Sequence, residues 1–190
     1  NAVRDDLQQH SRLPTEHITT VYKGHSLDWY QDAPADLAEF GIPADAFVVG
    51  CVANDRPRKG LPVLLEATKQ LPVDSNIHLL LVGAGMDSDA IKALIAESPI
   101  KARIHVAGFR KNAPALISAC TVSVLPSLKR EGLPKTVIEA MAYGITPIVS
   151  DTGGSAELLV DGESGLVVEP GNADELAKAI EFLWQNPSEC

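Results

Sequence analysis

From Phe47 onward, this 190-residue chain alternates short, continuously apolar runs with longer amphipathic ones, and that alternation constrains its fold more than any other feature. FVVGCVA (47–53) is rich in β-branched residues and has no polar alternation, the mark of a strand buried on both faces. Gly60 and Pro62 then open LPVLLEATKQL, where Val63, Leu64, Ala67 and Leu71 recur at helical spacing. The pattern repeats: IHLLLVG (77–83) precedes a helix over 87–98, and RIHVAG (103–108) precedes one near 113–119. TVSVLP (121–126) leads into a helix from Pro134 to Tyr143, and ITPIVS (145–150) into a short helix near 154–159. SGLVVE (164–169) precedes a last amphipathic helix, Asp174 to Trp184. Strict strand–helix alternation with apolar strands predicts an α/β fold: a Rossmann-like, doubly wound parallel sheet of about six strands with helices on both faces.

Residues 1–43 read differently. NAVRDDLQQHSRLP predicts a helix ended by Pro14, HITTVY (17–22) one more strand, and DAPADLAEFGIP a short helix stopped by Gly41 and Pro43. The expected division is therefore a crossover segment with one extra strand (1–43) and a sheet domain (44–190).

Composition narrows the function. Hydrophobic residues make up 45% and charged residues 22%, as in an ordinary folded protein. No apolar run approaches the roughly 20 residues of a membrane helix, and NAVRDDLQQH lacks the apolar region of a secretory signal. The net charge of -9 argues against a nucleic-acid partner, which calls for a basic stripe. Cys51, Cys120 and Cys190 are odd in number and nowhere spaced as CxxC, so neither a disulfide framework nor a zinc ribbon is expected. A reducing, cytoplasmic location follows as the expectation.

The charge is unevenly placed. Residues 151–190 hold nine acids and one base, leaving 16 acids and 15 bases in residues 1–150. Three basic clusters stand out there: Arg56, Arg58 and Lys59; Arg110 and Lys111; Lys129, Arg130 and Lys135. Each follows a predicted strand, and open parallel sheets bind ligands at the carboxyl ends of their strands. Cation from three loops at one sheet edge implies an anion there, most simply phosphate. Gly83-Ala84-Gly85 and Gly153-Gly154 turn at the same edge. Neither is a dinucleotide fingerprint, since Ser88 stands where GxGxxG needs glycine, and no P-loop pattern occurs.

The most informative segment is REGLPKTVIEAM (130–141). Pro134 starts a helix whose free N–H groups, near Lys135 and Thr136, would face the crevice and could hold a diphosphate. Glu131 precedes that helix and Glu139 lies within it. Carboxylates accept hydrogen bonds from hydroxyls, so a pair of them around a phosphate-binding helix start suits a ligand with diols on both sides of its phosphates. A nucleotide-sugar has that layout. The alternative leaves Glu131 as a helix cap and Glu139 as a solvated helix residue.

This segment resembles the E-x7-E motif of retaining glycosyltransferases of family 4 (group 1), the two-domain GT-B type. The run EAMAYGITPIVSDTGGSAELLVDGESGLVVEP continues the likeness, and VGCVANDRPRKGLPVLLEA, LLLVGAG, HVAGFR and VYKGHSLDWY are similar to further family segments. The resemblance implies that Glu139 binds the donor's ribose hydroxyls and that Glu131 contacts the transferred sugar as the catalytic carboxylate. It implies that Lys59 contacts the diphosphate together with backbone N–H groups at Lys135 and Thr136, and that backbone around Phe109 and Arg110 meets the nucleobase. Gly108, Gly132 and Leu133 complete the implied donor site, with neither metal nor cofactor required. Where the family usually carries an arginine this chain has Asn54, so Arg56 or Arg58 would supply that charge; Lys23-Gly24-His25 departs from the family's Asn-Gly.

Family members are about twice this length. The resemblance therefore implies a piece of a longer protein, the donor-binding half, whose partner is its own N-terminal acceptor domain. Alone it should bind donor and transfer little or nothing; any attachment to the inner membrane would fall to the other domain. The competing readings are a nucleotide-sugar epimerase or phosphorylase of the same architecture, or a non-catalytic module for a nucleotide or phosphorylated metabolite. His25, His78 and His105 read as structural, Cys51 and Cys120 as small buried hydrophobes, and Phe182 and Trp184 as the packing face of the last helix or as a surface that a further segment would cover.

Overall fold

The computed structural model describes residues 2–11, 14–22 and 24–190. A helix, α1 (Ala2–His10), precedes the sheet domain. The strands are β1 (Phe47–Val52), β2 (Ile77–Val82), β3 (Ile104–Gly108), β4 (Val122–Leu125), β5 (Thr146–Ser150) and β6 (Leu166–Val168). Between and after them lie α2 (Leu61–Ala67), α3 (Asp89–Glu97), α4 (Ala113–Ser118), α5 (Lys135–Ala142) and α6 (Ala173–Gln185).

All five strand pairings are parallel, in the order β3-β2-β1-β4-β5-β6. The chain thus builds outward from β1 in one direction, then returns to add β4 on β1's other side. Connections leave β1 and β4 toward opposite faces, and the gap between them at the carboxyl ends is the switch point where such sheets take ligands.

Alternate strand residues feed two core layers. Val49, Cys51, Leu79, Leu81 and Ile148 pack with Leu64, Ile91 and Ile180 from α2, α3 and α6. Val48, Leu80, Val82 and Ala107 pack on the other face with Leu116, Cys120 and Ile42. Under α5 a smaller cluster joins Leu125, Val137 and Val149. Burial pushes the Cys51 and Cys120 thiols up to about 12, so both act as apolar side chains. Two helices begin at side-chain caps: Ser88 accepts from Ile91 N–H ahead of α3, and Asn172 from Glu175 N–H ahead of α6.

Four readings need correction. HITTVY forms no strand: Thr15–His17 is a 3-10 turn and Ile18–Tyr22 runs as irregular chain. Its β-branched residues find no partner strand, and strand propensity counts only where there is a neighbour to pair with and a face to bury. The helices expected near 37 and 156 are single 3-10 turns, Leu37–Phe40 and Ala156–Leu158, the first capped by Asp36 and closed by Gly41. The first helix ends at His10, short of Pro14. Asn1, Arg12, Leu13 and Lys23 lie outside the described residues.

Candidate donor site at the sheet switch point

The loops that follow β1 and β4 meet through backbone. After β1, a 3-10 turn over Pro57–Lys59 ends at Gly60, whose φ is +67°. A Cβ there would lie 1.8 Å from Pro126 O, so only glycine lets the two loops approach this closely. Leu128 N–H donates to Arg58 O at 2.8 Å and locks the register of the two loops.

That approach brings three donors to one oxygen of Glu131. Lys59 Nζ lies 2.8 Å from Oε1, Arg58 NH1 3.0 Å and Ser127 Oγ 2.7 Å. Glu131 is only 6% exposed. Its backbone is fixed too: Glu131 N–H donates to Thr152 O, and Gly154 N–H to Glu131 O. A Cβ on Gly154 would sit 1.4 Å from Gly132 O, which explains the Gly153-Gly154 pair after β5. Burial alone would raise the Glu131 pKa, but the hydrogen bonds from Lys59 and Ser127, with the charges of Lys59 and Arg58, hold it below the usual carboxylate range. Glu131 is therefore an anion at neutral pH, unsuited to donating a proton.

Glu139 occupies the second position, inside α5 and 4% exposed. It is neither solvated nor capping. Lys135 Nζ lies 2.7 Å from its Oε1 across one helical turn, and that bond raises the lysine's pKa. Tyr143 stands one turn further along the same ridge; its hydroxyl donates to Asp32 Oδ2 at 3.3 Å and its ring meets Tyr30 edge-on at 6.0 Å. His25 Nδ1 bonds the Tyr30 hydroxyl. Burial, then the Glu139 charge, pushes the Tyr30 phenol up.

Lys59 and Lys135, the lysine partners of the two carboxylates, line a cleft of about 310 Å³ together with Ala53, Asn54, Gly83, Phe109, Arg110, Pro134 and Thr136, among others. Phe109 is 67% exposed at the end of β3, and the Arg110 guanidinium sits 5.4 Å over the Phe40 ring. Gly108 closes β3 beneath them in a left-handed conformation, its carbonyl accepting from Gly83 N–H.

The fold thus gathers Arg58, Lys59, Glu131, Phe109, Arg110, Lys135, Thr136 and Glu139 at one edge. It does not gather the whole expected set. Arg56 is exposed and outside both the Glu131 cluster and the cleft lining among the described residues, so Arg58 is the arginine that reaches Glu131. Gly132 and Leu133 line a neighbouring groove of about 290 Å³ with Val21 and Tyr22. Ser127 went unpredicted; its position in the loop after a strand, four residues before Glu131, was the available signal. Among the described residues, no group of three His, Cys, Asp or Glu converges to hold a metal ion.

Comparison with known proteins gives the family and the fold. Residues 32–190 match the family "Glycosyl transferases group 1". The chain is 35% identical over 149 residues to the lipopolysaccharide core biosynthesis glycosyltransferase LpsE of Rhizobium meliloti, covering 78% of this chain and 42% of LpsE. It is 33% identical over 146 residues to the MMP alpha-(1->4)-mannosyltransferase of Mycolicibacterium hassiacum, covering 75% of this chain and 35% of that enzyme. Among solved structures, Anabaena HepE in complex with UDP and glucose superposes with a TM-score of 0.88 at 26% identity, over 98% of this chain and 52% of HepE. The chain spans about half the length of these relatives, or less.

Proposed function

The chain belongs to the glycosyl transferases group 1, and from that membership we propose that it is the C-terminal, donor-binding half of a two-domain, retaining glycosyltransferase of family 4. The donor is a nucleotide-diphospho-sugar, with UDP the first nucleotide to test because HepE is described with UDP and UDP-glucose. The acceptor is a hydroxyl held by an N-terminal domain across residues 1–43.

One observation carries this reading: two buried carboxylates, Glu131 and Glu139, flank the cationic start of α5 at the sheet's switch point. Glu139 accepts the ribose hydroxyls. The diphosphate lies against α5's first N–H groups, at Lys135 and Thr136, with Lys59 beside it. The nucleobase extends toward Phe109 and Arg110, and the hexose toward Glu131.

In the reaction the bond between the anomeric carbon and the diphosphate oxygen breaks, leaving its electron pair on the diphosphate. The acceptor oxygen forms the new bond and passes its proton to the departing diphosphate. Charge grows on the diphosphate as that happens, and Lys59, Arg58 and the helix start are in place to stabilise it without a metal. An inverting mechanism instead needs a base poised near neutrality on the far side of the sugar. Glu131, held anionic with a depressed pKa, is poorly suited to that, which favours attack from the side of the leaving group and a retained configuration. NMR of the product formed by the two-domain protein tests this: the donor's anomeric configuration kept supports the proposal, and inversion contradicts it.

A further inference from the structure

The two buried carboxylates, Glu131 and Glu139, are neutralised in different ways. Glu131 receives three donors on one oxygen, and its lysine, Lys59, is 16% exposed and held between two loops. Glu139 is held by Lys135, whose side chain is 61% exposed and free to swing. Lys135 also opens α5 and lines the cleft, so its ammonium reaches both Glu139 and the space before the helix start, where a diphosphate would lie. A buried carboxylate needs a partner at every stage. The hydroxyls of a ribose can be that partner only where they replace a cation that has somewhere else to go.

We propose that Lys135 is an exchangeable counter-ion: it neutralises Glu139 in the empty site and turns to the diphosphate when ribose takes its place. This rests on the donor-site reading above. The same lysine then opposes binding through ribose and favours binding through phosphate. A nucleoside without phosphates must break the Lys135–Glu139 pair with nothing to offer the released ammonium. A nucleoside diphosphate breaks the pair and gains a charge-assisted contact instead.

The test is NMR titration of the chain and its Lys135→Met and Lys135→Arg variants with uridine and with UDP, and of Glu139→Ala with UDP. Exchange predicts shifts of opposite sign in Lys135→Met: uridine about twofold tighter, as expected for removal of an i,i+4 ion pair, and UDP about tenfold weaker. Lys135→Arg, which keeps the charge, should restore the wild-type ratio. Shifts of the same sign, or none, would overturn the exchange while leaving the donor site standing, provided that Glu139→Ala still loses UDP. Should the wild type bind neither ligand, the donor-site reading falls and the exchange with it.

Discussion

Lys59 Nζ lies 2.8 Å from Glu131 Oε1, although 72 residues separate the two in sequence. The contact spans the switch point, joining the loop after β1 to the loop after β4 where the sheet reverses its direction of growth. Folding by itself assembles this charged centre, because the parallel β1–β4 pairing sets the distance between the two loops.

Lys59→Ala should separate phosphate recognition from nucleoside recognition. A lost charge-assisted hydrogen bond is worth about 1.5–3 kcal/mol, so UDP affinity should fall by about that amount and uridine affinity far less. Parallel titrations check this, and equal losses for the two ligands would refute a phosphate role for Lys59.

Glu131 makes stability depend on acid. Its folded-state pKa is held below its unfolded value, so the stabilisation is complete above the ordinary carboxylate range and is lost as pH falls through the folded value. The stability advantage of wild type over Glu131→Gln, measured by urea unfolding, should therefore be largest near neutrality and shrink toward acid. A difference independent of pH would mean that Lys59, Arg58 and Ser127 do not hold the carboxylate ionised.

Gly60→Ala tests the close approach of the two loops. The new Cβ would meet Pro126 O at 1.8 Å from a backbone with φ +67°. Overpacking and left-handed strain together should destabilise by about 3 kcal/mol or more, read as a lowered unfolding midpoint. Gly132→Ala is the control, since its Cβ would meet nothing within 4 Å.

His78 and His105 provide a second, independent pH dependence. Their rings stack on neighbouring strands with Nδ1 and Nε2 2.9 Å apart, and burial lowers both pKa values, with the charges of His105 and Arg103 adding to the effect at His78. Lowered folded-state values favour the neutral rings, so their contribution is present above about pH 6.5 and is lost as pH falls below it. Urea midpoints at about pH 7.5 and about pH 5 should differ more for wild type than for His105→Phe. The same loss in both proteins would contradict the assignment.

The parts of this fold legible in sequence were those fixed by local pattern. Continuous apolar runs marked all six strands to within a residue or two, because strands buried on both faces carry no polar alternation. HITTVY misled for the complementary reason: its residues suit a strand, but whether a neighbour lies beside them is decided elsewhere in the chain. In the site, Glu131 and Glu139 could be singled out by their spacing around a helix start, whereas their partners could not. Ser127, Arg58 and Lys59 share one carboxylate oxygen only because β1 and β4 are adjacent, and the choice of Arg58 over Arg56 depends on the 3-10 turn that Arg56 precedes and Arg58 lies within. The cleft's division from the Gly132–Leu133 groove is likewise a matter of how loops stack.

We propose that a nucleoside diphosphate binds at the start of α5 and is held through Glu139. Calorimetric titration of the chain with UDP, GDP and ADP, repeated on Glu139→Ala, tests it most directly. The account predicts selective binding of one nucleotide, UDP first, weakened by about 1.5–3 kcal/mol in the variant. Binding that is unchanged in a folded Glu139→Ala protein, or absent for all three nucleotides, would contradict it.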